Sequence, residues 1–228
     1  MAREYKRFRS NQKPARSCRN GGHGQNIVKY IRKEDYAEMS RLALVHRDKE
    51  PQDSEAYYRW YRDYILMMVG VNCGSRIETI LEWMPCDFAG RATTVTESKT
   101  GKRMQYDLNK EIYAELKKFI DFYHIGSKEF IFRKSLKSKD AITRWTAWKR
   151  IKDLAAEAGV AYNVGAHSLR KSYARWIYDD TRDIHLVSRL LQHSDEKTTR
   201  TYIGLTDPDV DRYREQICNL PIRTGDNE

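Results

Sequence analysis

With 228 residues, 40% of them hydrophobic and 32% charged, the chain is long enough to bury a substantial core and is composed like a globular protein. Its 42 Lys and Arg against 32 Asp and Glu give a net charge of +10, which makes nucleic acid the leading partner class. Four cysteines without metal-ligand or disulfide spacing argue against zinc modules and stapled secreted folds, and the absence of a long apolar run or hydrophobic signal region predicts a cytoplasmic protein without membrane spans.

Residues 1–29 carry eight Lys or Arg against one Glu and include Asn20-Gly21-Gly22-His23-Gly24, a composition that predicts a flexible basic arm, with order starting near Tyr30. From Glu55 to Asn72, Tyr57, Tyr61, Tyr64, Ile65 and Met68 recur at helical spacing and predict a core helix. After a loop at Cys73-Gly74, Arg76 opens a second helical stripe through Ile77, Ile80, Leu81 and Met84, which Pro85 ends. The β-prone runs Thr93–Glu97 and Met104–Leu108 flank Ser98-Lys99-Thr100-Gly101-Lys102, a hairpin with lysines at its tip.

Glu111–Tyr123 reads as an amphipathic helix through Ile112, Leu116, Phe119 and Ile120. Ile142–Ala158 reads as another, with Trp145, Trp148, Ile151 and Ala155 on its packed face, Lys149, Arg150 and Lys152 on the other, and Gly159 as its stop. Residues 132–152 hold eight Lys or Arg against one Asp, the concentrated charge of a phosphate-tracking surface. Ser168 is the expected N-cap of a helix over Leu169–Tyr178, which puts Arg170 in the first turn, where backbone N–H groups also favour an anion. A short helix over Ile184–Leu191 precedes His193, and Asp207-Pro208 opens a last one with Val210, Tyr213 and Ile217 on a stripe.

Chemistry concentrates between His167 and Tyr202. His167-Ser168-Leu169-Arg170, Leu190-Leu191-Gln192-His193 and Thr198-Thr199-Arg200-Thr201-Tyr202 supply two imidazoles, a guanidinium and a phenol, an inventory suited to covalent work on a phosphodiester. These residues resemble the tyrosine recombinases of the phage integrase family. His167-x-x-Arg170 resembles the second box of that family, Leu191-Gln192-His193 its Leu-Gly-His turn, and Thr198-Thr199-x-x-Tyr202 the nucleophile segment. Cys73-Gly74-Ser75-Arg76-Ile77 resembles the first arginine box, and Ser98-Lys99-Thr100-Gly101 the hairpin that carries a lysine.

The resemblance implies a mainly α fold with a small antiparallel β-sheet, divided into an arm (1–29), a catalytic domain (30–206) and a C-terminal helix and tail (207–228). It implies attack by Tyr202 on a scissile phosphate without metal or cofactor, giving a 3′-phosphotyrosyl bond and a free 5′-hydroxyl. Arg76 and Arg170 would neutralise the transition state, His193 would donate a hydrogen bond, His167 would assist removal of the phenol proton, and Lys99 would protonate the leaving oxygen. Lys102, Arg144, Lys149, Arg150 and Lys171 are the expected DNA contacts. The implied partners are double-stranded DNA, three further copies of the chain on synapsed DNA, and in some systems an accessory DNA-bending protein.

The chain departs from the family pattern in three places. Gln192 stands where glycine is usual, and Thr79 rather than an acid stands three residues after Arg76, with Glu78 one place early. A 29-residue arm is also too short for the core-binding domain common in the family. That leaves a minimal recombinase, an arm acting with a partner protein, or a chain truncated at its start. Type IB topoisomerase-like relaxation and a non-catalytic DNA-binding regulator are the alternative functions.

Overall fold

A computed structural model describes residues 28–96, 101, 103–193 and 195–205. Helix α2 (Glu55–Cys73) organises the rest. It starts at Ser54, whose side chain accepts from the Tyr57 N–H at 3.0 Å, and it ends at Gly74 in the left-handed region at φ +63°. Between these caps it is buried on nearly every side, from Tyr57, Tyr58 and Tyr61 to Val69 and Val71. Each such side chain contributes about 1.5–3 kcal/mol on burial. Helices α1 (Lys33–Asp48), α4 (Lys110–Phe122), α5 (Arg144–Glu157) and α6 (Ala166–Thr181) pack around it.

The approach of α6 is closest at Gly70, where an added Cβ would fall 2.6 Å from Leu169 Cδ1. That glycine lets α6 bring Arg170 up to the end of α2. The short helix α3 (Ile77–Leu81) follows the Gly74 turn with Arg76 as its N-cap; it ends at Leu81, short of the expected stripe, and Met84 is extended backbone ahead of the turn that Pro85 opens. Strands β1 (Phe88–Ala89), β2 (Ala92–Thr96) and β3 (Arg103–Asp107) form an antiparallel sheet in chain order, registered through Thr93↔Tyr106 and Val95↔Met104. Met104 and Tyr106 point inwards, as period-2 alternation requires, and buried Trp83 lies against Tyr106 and Phe88. A second, smaller core of Ala174, Ile184, Val187, Leu191 and Ile203 holds α7 (Ile184–Leu191) and α8 (Glu196–Tyr202) against α6.

Several expectations need correction. Helix α1 has no counterpart in the hydrophobic pattern, because only Met39 and Ala43 of its sixteen residues are fully buried. Val28 and Lys29, placed in the arm by composition, are tied to the fold: the Lys29 N–H donates to the Asn163 carbonyl at 3.0 Å, and the Val28 carbonyl accepts from Lys171 Nζ at 2.8 Å. Trp145 is not on the packed face of α5; it is 64% exposed, and Ala147 and Leu154 join Ile151 and Ala155 inside. Helix α5 starts at Arg144 on a Thr143 cap, and Ile142 is buried ahead of it with its N–H on the Phe132 carbonyl.

Ser168 is not an N-cap. Helix α6 starts at Ala166 after Gly165 and runs to Thr181, and the Ser168 hydroxyl reaches back from the first turn to accept the Gly165 N–H at 3.0 Å. The hairpin strands lie one residue earlier than the pattern suggests. Its tip with Lys99 and Lys102, the arm through residue 27 and the helix expected after Asp207 lie outside the described residues.

Candidate active site

Arg170 sits one turn into α6 and is 3% exposed. One guanidinium nitrogen donates to the Gly74 carbonyl at 2.6 Å and another to the Leu191 carbonyl at 2.9 Å. Those oxygens belong to the ends of α2 and α7, where helix carbonyls lack intrahelical donors and carry partial negative charge. A guanidinium has five N–H donors in a rigid fork, so the remainder stays available to an anion. The bond also depends on Gly74: a Cβ there would meet the Tyr173 ring at 2.3 Å.

The end of α7 is the second special turn. Gln192 caps it with φ +53° and ψ +42°, a left-handed conformation without glycine, closed by its N–H to the Arg189 carbonyl at 3.0 Å. The turn brings His193 back beneath α7, where its N–H donates to the Ser188 carbonyl at 3.0 Å and its Nδ1 lies 2.9 Å from Thr199 Oγ1. The imidazole is half-buried, and burial holds its pKa below the ordinary histidine value, reinforced by the positive charges of Arg170 and Arg76 and opposed by Asp195. The ring is therefore neutral at neutral pH.

Helix α8 is started by Asp195, whose carboxylate accepts from the Thr198 N–H and hydroxyl, both at 2.7 Å. Its last residue is Tyr202, whose ring meets that of His193 edge-on, centroids 5.4 Å apart. The Tyr202 hydroxyl is buried without a well-aligned hydrogen bond, and the Arg170 side chain is the group close enough to interact with it. Burial raises its pKa, while Arg170 and Arg76 pull it down.

Arg76 is half-buried at the N-cap of α3, and its charge acts on both His193 and Tyr202. Arg76, Arg170, His193 and Tyr202 thus form one group around the phenol. His167 lies in the first turn of α6, three residues before Arg170, with its side chain exposed. Lys171 is half-buried; its ammonium, besides its bond to Val28, stands 5.4 Å from the Tyr202 ring centroid, and burial lowers its pKa. Lys171, Asp195, Lys197, Thr198, Thr201 and Tyr202 line an open groove beside the phenol.

The expected DNA contacts on α5 have protein partners. Arg144 pairs with Glu78 at 2.9 Å and Lys149 with Asp153 at 2.7 Å, both cations remaining about half exposed. Arg150 is held more firmly, 2.5 Å from Asp63 Oδ2 and stacked 4.2 Å over the Trp60 ring. Residue patterns alone missed the Gly74 and Leu191 carbonyls and Thr199. The carbonyls carry no side-chain signal, whereas Thr199 was visible within the nucleophile segment but had no assigned role.

The phage integrase family matches residues 44–208. The probable integrase/recombinase YoeC of Bacillus subtilis is 33% identical over 197 residues, spanning 84% of this chain and 97% of that protein. Tyrosine recombinase XerA of Pyrococcus furiosus is 22% identical over 204 residues, 89% of this chain but 66% of its own length. Among solved structures, XerA recombinase aligns with a TM-score of 0.63 at 17% identity over 89% of this chain and 68% of that one. XerH bound to a palindromic difH substrate in a post-cleavage complex aligns with 0.60 at 20% identity over 84% and 53%. These structures share the fold.

The chain belongs to the phage integrase family, the tyrosine recombinases that cut and rejoin DNA. It spans nearly all of YoeC but only about half to two thirds of the archaeal XerA relatives. No helix among the described residues is long and apolar enough to cross a membrane.

Proposed function

We propose that this chain recombines double-stranded DNA at specific sites, with Tyr202 as the nucleophile. The observation that carries the reading is the buried Tyr202 hydroxyl beside the Arg170 and Arg76 guanidiniums and the His193 ring. Phosphoryl transfer calls for positioning and charge stabilisation more than for covalent chemistry from the protein, and this group supplies both. Arg170 and Arg76 take the non-bridging oxygens, and His193 donates a further hydrogen bond. His167 assists removal of the phenol proton. Lys99, on the hairpin between β2 and β3, protonates the departing 5′-oxygen.

Tyr202 Oη bonds to phosphorus as the phosphorus–5′-oxygen bond breaks, leaving a 3′-phosphotyrosyl link. A 5′-hydroxyl from the partner duplex reverses the step, and the bond energy is retained throughout. Charge supports DNA as the substrate, since a net +10 includes the basic run on α5 and the basic arm. Lys102, Arg144, Lys149, Arg150 and Lys171 are the cations assigned to the duplex. Residues 1–29 act as the arm, 30–206 as the catalytic domain and 207–228 as the segment that docks on a neighbouring copy in a tetramer on synapsed DNA, with an accessory DNA-bending protein in some reactions.

The test is selection of nicked duplexes from a randomised pool by covalent capture on the wild-type protein. Recovery of a defined sequence that then recombines between two duplexes is expected. A pool that yields no covalent product would overturn the reading.

A further inference from the structure

Thr199 lies six residues after His193 and three before Tyr202. The Asp195 cap fixes the phase of α8, so Thr198 faces solvent and Thr199 is fully buried. There its Oγ1 sits 2.9 Å from His193 Nδ1 and 3.1 Å from Ser188 Oγ on α7. A polar side chain sealed beneath the imidazole of a proposed active site, on the helix that carries the nucleophile, calls for an explanation beyond packing.

The explanation lies in the two nitrogens of the ring. A neutral imidazole carries one N–H and one lone pair, and the partner of one nitrogen decides the state of the other. Nδ1 faces Thr199, which leaves Nε2 as the nitrogen available to a ligand. Because burial and the adjacent guanidiniums keep the ring neutral, His193 donates to a phosphate oxygen only when the proton is on Nε2. That state requires Nδ1 to accept, and the Thr199 hydroxyl can supply the hydrogen. That hydrogen has competing acceptors in the Ser188 hydroxyl at 3.1 Å and the Asp195 carbonyl at 3.5 Å, and the Nδ1 contact at 2.9 Å is the shortest of the three. The reverse polarity would aim a lone pair at an anion.

We propose that Thr199 is a positioning residue that donates to His193 Nδ1 and fixes the imidazole as its Nε2–H tautomer, ready to donate to a phosphate oxygen. The inference rests on the recombinase reading for its purpose, but the tautomer is a property of the free protein. The helix that carries Tyr202 thereby also sets the proton position on the neighbouring ring. Nucleophile and hydrogen-bond donor are aligned by one element, and a shift of α8 would disturb both.

The test has two arms. In protein labelled with 15N-histidine, long-range proton–nitrogen correlation reads the tautomer of each ring, and His193→Gln assigns the His193 signals. Wild type is expected to show a bare Nδ1 and a protonated Nε2, Thr199→Val a mixture of tautomers, and Thr199→Ser the wild-type pattern. A wild-type ring protonated on Nδ1, or a Thr199→Val ring identical to wild type, would overturn the proposal. In the second arm, covalent capture on nicked duplexes selected by the wild type should slow about 10-fold or more in Thr199→Val at unchanged duplex affinity, and Thr199→Ser should recover most of the rate. A Thr199→Val rate equal to wild type, or an equally slow Thr199→Ser, would also overturn it. If the pool yields no covalent product, the recombinase reading fails and the NMR arm alone decides the hydrogen-bond assignment.

Discussion

Arg170 is asked to do two things at once. Its guanidinium ties the ends of α2 and α7 together through the Gly74 and Leu191 carbonyls, and it stands beside the Tyr202 phenol. Arg170→Ala should therefore lower both folding stability and catalysis. Each orphaned carbonyl costs about 1–3 kcal/mol unless water reaches it, and loss of one charged donor at a reacting phosphate costs about 100- to 1000-fold in rate. Urea titration and the rate of covalent DNA capture check the two effects separately. A variant as stable as wild type would contradict the bridging role, and one that captures DNA within a few-fold of wild type would contradict the chemical role.

His193 gives a pH signature at the same scale. Its pKa is held below the ordinary value of about 6.5 in the folded protein. Below about pH 6.5 the unfolded chain then binds more protons at this position than the folded one. The contribution is fully present above that pH and is lost as pH falls towards the depressed folded value. Stability measured at pH 7.5 and 5.5 should drop less in His193→Gln than in wild type, whereas equal drops would contradict a desolvated ring.

Turns between elements decide whether these residues meet. Gly74 and Gly90 both have positive φ, +63° and +64°, but a Cβ at Gly74 would strike the Tyr173 ring, and one at Gly90 would meet nothing within 4 Å. Gly74→Ala should therefore destabilise well beyond the backbone cost of about 1–2 kcal/mol expected for Gly90→Ala, and should slow catalysis by displacing the carbonyl that holds Arg170. Comparable losses of stability in the two variants would contradict the close packing. Gln192 offers the opposite case. It holds φ +53° without glycine, so Gln192→Gly should stabilise the fold by about 1 kcal/mol, read as a higher urea midpoint; a lower midpoint would show that the Gln192 side chain contributes more than its backbone strain costs.

The elements that could be read from residue patterns are those with a strong period. Helix α2 and the stripe of α4 stand out because large apolar residues recur at helical spacing, and the hairpin because two β-prone runs flank a lysine-containing turn. Helix α1 is too charged to show a stripe, and β1 is two residues long. Trp145 misled because aromatic character was taken for burial, although Ala147 and Leu154 define the inner face. Ser168 misled because a serine before an apolar run resembles a cap, while here it closes the first turn from inside. The side chains around Tyr202 were legible because their chemistry is in their names. The carbonyls of Gly74 and Leu191 became visible only once two left-handed turns had closed in space.

For the whole molecule, charge and covalent chemistry are separable. The basic residues of positions 1–29 and of the run on α5 predict a strongly salt-dependent affinity for DNA, with each lost phosphate contact removing about 0.9 from the slope of log affinity against log salt. Deletion of residues 1–27 leaves the anchors at Val28 and Lys29 in place and should flatten that slope without abolishing covalent capture by the catalytic domain. An unchanged slope would mean that the arm makes no phosphate contacts.

The central claim is that Tyr202 forms the bond to DNA, and mass spectrometry of the captured complex after nuclease and protease digestion tests it most directly. The account predicts a nucleotide joined through its 3′-phosphate to the peptide containing Tyr202, and no adduct from Tyr202→Phe. An adduct on another residue, or undiminished capture by Tyr202→Phe, would contradict it.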